Sequence, residues 1–482
     1  MFRRLVIGTL LVFGLSVTVI RPFASQGATT QQPAPATAQQ AATPGQSLVP
    51  DDWVFGDALP DAPELAARGA FGVGVRTLNV VNPDQLDILR YSDANPNPRY
   101  DRPLTLEVWY PARIPAGVEQ RTTYQDVLGS GPVNPQRPNT PFTIAGRALR
   151  DAEPDRYEGP YPLVIVSHGY PGSRYLMAYL CELMASKGYV VAAIDHTEST
   201  HGDKVGFSST LLNRSFDQLF TLNQIAQLAQ TSGSFLQGVV DANNTAIVGY
   251  SMGGYGALNT AGAGVNPESP IYKLVPGNKL HVRAAGDPQY QASLDPRIKA
   301  IVAFAPWGRQ FDVWNREGLA GLRVPSLFVV GNRDDVSQYE TGVQQIYEDA
   351  VNSDRYMLVY QNALHNVAPH PPPAITLEPG TPFEDYMHYA EPAWSMPRIN
   401  NINQHFVAAF VGLHLKGENN RSYLDLITQS NEGKWSQNAD GSFKADHTYW
   451  KGFKNRTAVG MEMYHAAPAA PERKSYVPMT TR

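Results

Sequence analysis

The chain has 482 residues, a net charge of −5, 43% hydrophobic and 17% charged residues, and a single cysteine, Cys181. That length holds one large α/β domain or two to three average ones, and the composition is that of a globular protein. The lack of a basic cluster argues against nucleic acid or an anionic membrane as the main partner, and one cysteine excludes an intramolecular disulfide.

Residues 1–24 are read as a signal peptide or N-terminal anchor: a basic start at Met1 to Arg4, an apolar run from Leu5 to Ile20, then Arg21 and Pro22. An uncleaved segment is the only membrane contact this predicts, and the expected location is periplasmic or secreted. Residues 25–50 are a flexible Ala/Gln/Pro linker. A single α/β domain is expected over 51–482, with three long insertions: a Pro-, Arg- and Asp-rich surface stretch near 114–158, one frequent in Pro, Gly, Asn and Asp near 266–296, and a Pro-rich irregular one near 366–400.

Within it, Phe71 to Leu78 and Leu104 to Tyr110 alternate and predict an antiparallel edge pair. Pro162 to Gly169 and Tyr189 to Ile194 are continuous apolar runs, the pattern of strands buried on both faces. Between them Ser173 to Gly188 predicts a helix with Ser173 as N-cap and Gly188 as C-cap. Its interior packs Cys181, which is read as buried rather than nucleophilic. Leu211 to Leu228 predicts a second helix. Strands follow at Thr245 to Tyr250, Ile298 to Phe304, Pro325 to Val330 and Arg355 to Tyr360, the last of the series. Helices are expected at Ser337 to Val351 and Asn401 to Lys416, then an irregular tail with a strand-like piece near Tyr449 to Thr457. Alternating buried strands and helices give a mostly parallel central sheet with helices on both faces.

Chemistry gathers at the strand ends. Gly249-Tyr250-Ser251-Met252-Gly253 fits G-x-S-x-G between a strand and an Ala/Gly-rich helix. A Cβ at Gly249 or Gly253 would crowd the neighbouring strand or helix at the sharp turn. Later strand ends carry Asp334-Asp335 and His365. The order nucleophile, acid, histidine is that of the α/β-hydrolases. Ser251 is the predicted nucleophile and His365 the base and then acid. Asp334 is preferred over Asp335 as orienter because it lies three residues past Gly331, which leaves Asp335 as a loop-capping carboxylate. The backbone N–H groups of Met252 and Tyr170 are the oxyanion donors. Tyr170 and Trp307 offer aromatic faces to substrate, with plain packing the alternative for Trp307. His196 either lines the pocket or packs; His370 and His388 are read as surface or cleft residues. His281, His405 and His414 lack metal-ligand spacing, so neither metal nor cofactor is implied.

Val166-Ser167-His168-Gly169, the stretch Ala185 to His196, and Gly249 to Gly254 resemble the platelet-activating-factor acetylhydrolase and dienelactone-hydrolase-like branch of the α/β-hydrolases. The site pattern is also similar to cutinase-like polyesterases: Gly169-Tyr170, Ser251-Met252, Pro306-Trp307, and Ala363-Leu364-His365 with Ala368-Pro369. The resemblance implies an α/β-hydrolase fold with a triad of Ser251, Asp334 and His365 and oxyanion donors Tyr170 and Met252. The implied activity is serine ester hydrolysis on a small-molecule or lipid-like ester. Cutinases usually carry a C-terminal disulfide that this chain cannot form internally, and dienelactone hydrolases proper use a cysteine where Ser251 stands. A serine peptidase or amidase of the same fold, and a non-catalytic binding protein, are the alternatives.

Overall fold

The computed structural model describes residues 53–131 and 134–469. The expected signal or anchor and the linker lie outside them; the described residues fall within the compact unit Asp52–Arg482.

Among the described residues thirteen strands run in chain order: β1 Gly72–Leu86, β2 Arg99–Arg113, β3 Thr122–Leu128, β4 Thr140–Gly146, β5 Leu149–Arg150, β6 Glu153–Pro154, β7 Tyr161–Ser167, β8 Val190–Asp195, β9 Val240–Tyr250, β10 Ile298–Phe304, β11 Ser326–Gly331, β12 Arg355–Tyr360 and β13 Met461–Ala466. The α-helices are α1 Ala178–Ser186, α2 Phe207–Gln230, α3 Met252–Thr260, α4 Pro288–Ala292, α5 Arg316–Leu319, α6 Gln344–Asp349, α7 Phe383–Met387 and α8 Met396–Lys416. None of the described helices is long and apolar enough to cross a membrane.

The main sheet runs β13-β12-β11-β10-β9-β7-β8-β2-β1-β5, with β6 on β2. The six strands from β8 to β12 are parallel; β1 with β2, β2 with β8, and β12 with β13 are antiparallel. Every residue of β7, β11 and β12 is buried, because helices cover both faces. Cys181 of α1 and Phe406 and Phe410 of α8 belong to the core on one face. Leu222 of α2 and Leu258 of α3 belong to the core on the other. This is the α/β-hydrolase arrangement.

The chain leaves β7 toward β8 and returns to β9 on β7's other side. Between β7 and β9 the strand order reverses, and at such a switch point the strand ends leave a crevice. The register lines those ends up: Ser167 pairs with Gly249 and Phe304 with Tyr250.

Several expectations change. Residues 114–158 are no mere surface excursion. They hold the hairpin β3/β4, whose Tyr124, Leu128, Phe142 and Ile144 join the core over α1. The Tyr124 hydroxyl donates to Glu182 Oε1 at 2.5 Å and accepts from Trp109 Nε1 at 2.7 Å. Residues 266–296 are irregular, yet bury Val275, Leu280 and Tyr290. Helix α1 starts at Ala178, not after Ser173, whose hydroxyl instead binds Asp126 of the hairpin; Gly188 does end it, with φ +82. The expected helix from Ser337 starts later, at a π turn over Tyr339–Val343. Helix α8 starts at Met396 rather than Asn401, since Pro397 fits a first turn. Tyr449 to Thr457 is turns, and the strand is β13. Residues 54–65 lie along α8, where Leu59 N–H donates to Asn401 Oδ1 at 2.9 Å, Leu65 N–H to His405 Nδ1 at 3.1 Å and Gln404 Nε2 to Gly56 O at 3.0 Å.

Candidate active site

Ser251 sits between β9 and α3 with φ 53 and ψ −113, a left-handed backbone that costs about 1–3 kcal/mol for a side-chain-bearing residue. The turn holds because both ends are anchored: Ser251 N–H donates to Phe304 O at 2.9 Å, and Ser251 O accepts from Tyr255 N–H at 2.9 Å and Trp307 N–H at 3.2 Å. The glycines allow the close approach, as the sequence pattern requires. A Cβ on Gly253 would fall inside the Ser167 carbonyl of β7, and one on Gly249 inside that of Gly253. Met252 is the first residue of α3, so its N–H has no acceptor within the helix.

Asp334 follows β11 in a tight loop. Its Oδ1 accepts the N–H groups of Val336 at 2.9 Å and Ser337 at 2.7 Å. Both its oxygens lie 3.0 Å from His365 Nδ1. Burial pushes this carboxyl up, but the imidazole and the two backbone N–H groups override burial and hold it below the usual carboxylate range. A carboxylate only accepts, so Nδ1 carries a hydrogen toward it, and the tautomer this selects has Nε2 as its acceptor. Asp335 is exposed and lines the cavity. The loop-capping role expected of Asp335 belongs to Asp334, which both caps the loop and holds the histidine.

Tyr250, the residue before the serine, also packs against His365, its ring tilted 35° to the imidazole with centroids 5.1 Å apart, and its hydroxyl donates to Asn366 Oδ1 at 2.9 Å. Glu391, from the 366–400 insertion, accepts Leu364 N–H at 2.7 Å. The insertion thus holds the histidine loop.

Ser251 and His365 open into one cavity of about 250 Å³. Tyr170 and Pro171 line it from the β7 loop, Asp335 and Val336 from the acid loop, and Met387, His388 and Ala390 from the insertion. His388 is a cleft residue, as expected; burial, with His201 beside it, pulls its imidazole well down. His370, read as surface or cleft, is 1% exposed and stacks between Phe55 and Tyr389. Trp307 is not among the lining residues. It forms a row that starts at the cavity: Tyr170 against Phe207 at 5.2 Å, Phe207 against Trp307 at 5.4 Å, Trp307 against Phe311 at 5.2 Å.

His196 does not reach the cavity. It is buried in a second serine–histidine–aspartate chain that sequence reasoning missed. Ser167 Oγ donates to His196 Nε2 at 2.8 Å, and His196 Nδ1 donates to Asp217 Oδ2 at 2.9 Å. Asp217 also takes a forked pair from Arg102 at 2.8 and 3.0 Å. Burial, with Arg214 nearby, drops the imidazole to about 3. Burial raises the Asp217 carboxyl, but Arg102 and His196 outweigh it and bring it to about 2. With all three side chains at most 1% exposed, this chain of bonds braces β7, β8 and α2 rather than meeting solvent.

The sheet order and the helices on its two faces are those of the α/β-hydrolase fold, with Ser251 in the turn between β9 and α3. Residues 154–266, from before β7 to past α3, match the family described as PETase: PET hydrolase-like. The chain is similar to Cutinase est1 of Thermobifida alba, 25% identical over 211 residues, covering 44% of this chain and 55% of that protein. It is similar to Cutinase 2 of Thermobifida cellulosilytica, 24% identical over 198 residues, covering 41% and 57%. The chain thus spans about half the length of these relatives. A ferulic acid esterase from Streptomyces cinnamoneus aligns over 74% of this chain and 94% of that one, with a TM-score of 0.47 and 22% identity.

Proposed function

We propose that the chain is a serine-dependent carboxylic ester hydrolase working through an acyl-enzyme. The observation that carries the reading is the cavity shared by Ser251 and His365, with both Asp334 oxygens 3.0 Å from the far ring nitrogen. Ser251 Oγ attacks the ester carbon while His365 Nε2 takes its proton. Asp334 fixes the tautomer and stabilises the imidazolium. The N–H groups of Met252 and Tyr170 hold the oxyanion. Collapse of the intermediate breaks the ester C–O bond, and His365 returns the proton to the leaving alcohol. Water, deprotonated by the same nitrogen, then attacks the acyl carbon; the bond to Ser251 Oγ breaks, His365 returns the proton to Oγ, and the acid leaves.

A cavity of about 250 Å³ suits a short acyl chain or one aromatic ring. The aromatic row from Tyr170 to Phe311 offers a stacking surface to the rest of a small or lipid-like ester. The similarity to proteins named cutinases favours ester over amide chemistry. Membership of the acetylhydrolase and dienelactone-hydrolase-like branch rests on the motif resemblance, and export on the N-terminal sequence.

The test is p-nitrophenyl acetate turnover and fluorophosphonate labelling of wild type and Ser251→Ala, beside a peptide p-nitroanilide. Wild type is expected to turn over the ester and label. Ser251→Ala, folded by circular dichroism, should do neither. An unlabelled wild type revives the binding-protein alternative, and faster anilide cleavage the amidase one.

A further inference from the structure

We infer that Arg214 is a positioning residue for the oxyanion site: its guanidinium grips the carbonyls of His168 and Gly169 and so aims the Tyr170 N–H at the carbonyl oxygen of a substrate on Ser251. The inference rests on the ester-hydrolase reading and on Tyr170 as a donor.

Arg214 lies in α2 and is 1% exposed. Its Nη1 donates to His168 O at 2.5 Å and its Nη2 to Gly169 O at 2.8 Å. Nη2 also donates to Ser199 Oγ. Among the described residues no carboxylate lies within ion-pair distance of it; Asp217, one turn further along α2, is taken by Arg102 and His196. Burying a cation this way costs free energy that a methionine of similar length would not. What the arginine supplies and an apolar side chain cannot is a planar fork of donors for two successive carbonyls.

Two carbonyls held by one fork fix the planes of two peptide groups. In a trans peptide the C=O and the next N–H point to opposite sides. The Gly169–Tyr170 bond is trans, since the cis bonds of the described chain are Gly159–Pro160 and Tyr170–Pro171. With Gly169 O turned to Arg214, the Tyr170 N–H must point away from it. Gly169 itself lies against the nucleophile, for a Cβ there would stand 3.5 Å from Ser251 Cβ. Tyr170 and Ser251 line the same cavity. The His168 ring strengthens the arrangement: its Nδ1 donates to the same Gly169 oxygen at 2.7 Å, and its Nε2 accepts His196 N–H at 3.2 Å. Arg214 therefore orders a donor in advance of the transition state, and touches no reacting atom.

The experiment compares wild type, Arg214→Lys and Arg214→Met in kcat and KM for p-nitrophenyl acetate, in affinity for phenylboronic acid as a tetrahedral mimic, and in thermal melting. Removing one oxyanion donor costs roughly 10²–10³ in kcat. Arg214→Met should lose that much, with KM changed less than about threefold and boronate affinity falling in step. Arg214→Lys, which keeps the charge but not the fork, should fall between. A lowered melting point with kcat and boronate affinity unchanged overturns the inference, as does failure of both variants to fold, which marks Arg214 as structural. Ser251→Ala is run in parallel. No wild-type turnover brings down the ester-hydrolase reading together with this one. Wild-type turnover that Ser251→Ala abolishes and Arg214→Met keeps brings down this one alone.

Discussion

Asparagine at position 334 should nearly silence the enzyme while leaving it folded. Asp334 Oδ1 is committed to the N–H groups of Val336 and Ser337, so in Asp334→Asn the amide oxygen takes that place. The amide NH₂ then faces His365 Nδ1, where a carboxylate oxygen now lies at 3.0 Å. Two donors cannot bond each other, so the amide NH₂ favours a ring with a bare Nδ1 and its hydrogen on Nε2; the competitor is Oδ1, also 3.0 Å from Nδ1 but already holding two backbone N–H groups. In the proposed mechanism Nε2 accepts the Ser251 proton. The loss in kcat should be about 10⁴-fold, or roughly 5.5 kcal/mol of transition-state stabilisation. Asp335→Asn, at an exposed site on the cavity rim, should stay within about threefold of wild type. The assay is p-nitrophenyl acetate kcat and KM for both variants, with matched melting curves. A larger loss in Asp335→Asn than in Asp334→Asn would refute the assignment of the orienting acid.

Three further outcomes are expected. Gly253→Ala places a methyl group inside the Ser167 carbonyl; it should cost about 3 kcal/mol or more, read as a fall in the denaturant midpoint. The Asp217 carboxyl is depressed to about 2 in the fold, against about 3.9 unfolded. A depressed carboxyl stabilises above its unfolded pKa, so roughly 2 kcal/mol is present above about pH 4 and is lost as pH falls toward 2. Urea midpoints at pH 5 and pH 3 should show this loss in wild type and less of it in Asp217→Asn. That variant should already be weakened, by less than the about 3–5 kcal/mol of a fully unpaired buried charge, because buried Arg102 loses the Asp217 carboxylate and keeps only that of Glu198 at 3.1 Å. Met387→Ala removes a side chain from the cavity wall. It should raise kcat/KM for butyrate or benzoate esters relative to acetate by about tenfold, in a graded p-nitrophenyl ester series.

The six parallel strands were legible because burial on both faces leaves unbroken apolar runs such as Pro162 to Val166, which no exposed element tolerates. The elbow was legible because its glycines answer to local sterics. Asp334 and His365 could be placed by strand order, yet the choice between Asp334 and Asp335 turned on which carboxylate the loop folds inward. The β3/β4 hairpin hid because Thr122–Leu128 mixes polar residues into its alternation, and its burial depends on α1 and Glu182, far along the chain. β13 hid for a related reason: an edge strand needs only half its residues apolar. The Ser167–His196–Asp217 chain spans three elements with no motif spacing. Arg214 looked like one more polar residue on a helix until its neighbours were known.

The seam between residues 54–65 and α8 has a consequence for how the protein is made. Leu59 and Asn401 bond across 342 positions. A ribosome adding 5–20 residues per second delivers the second partner roughly 20–70 s after the first. Through that interval the N-terminal segment lacks the α8 partners it has in the fold. Closure of this seam therefore waits until α8 has been made, as a late long-range step. A chain stopped before α8 is made would lack the whole of this seam, however complete its central strands.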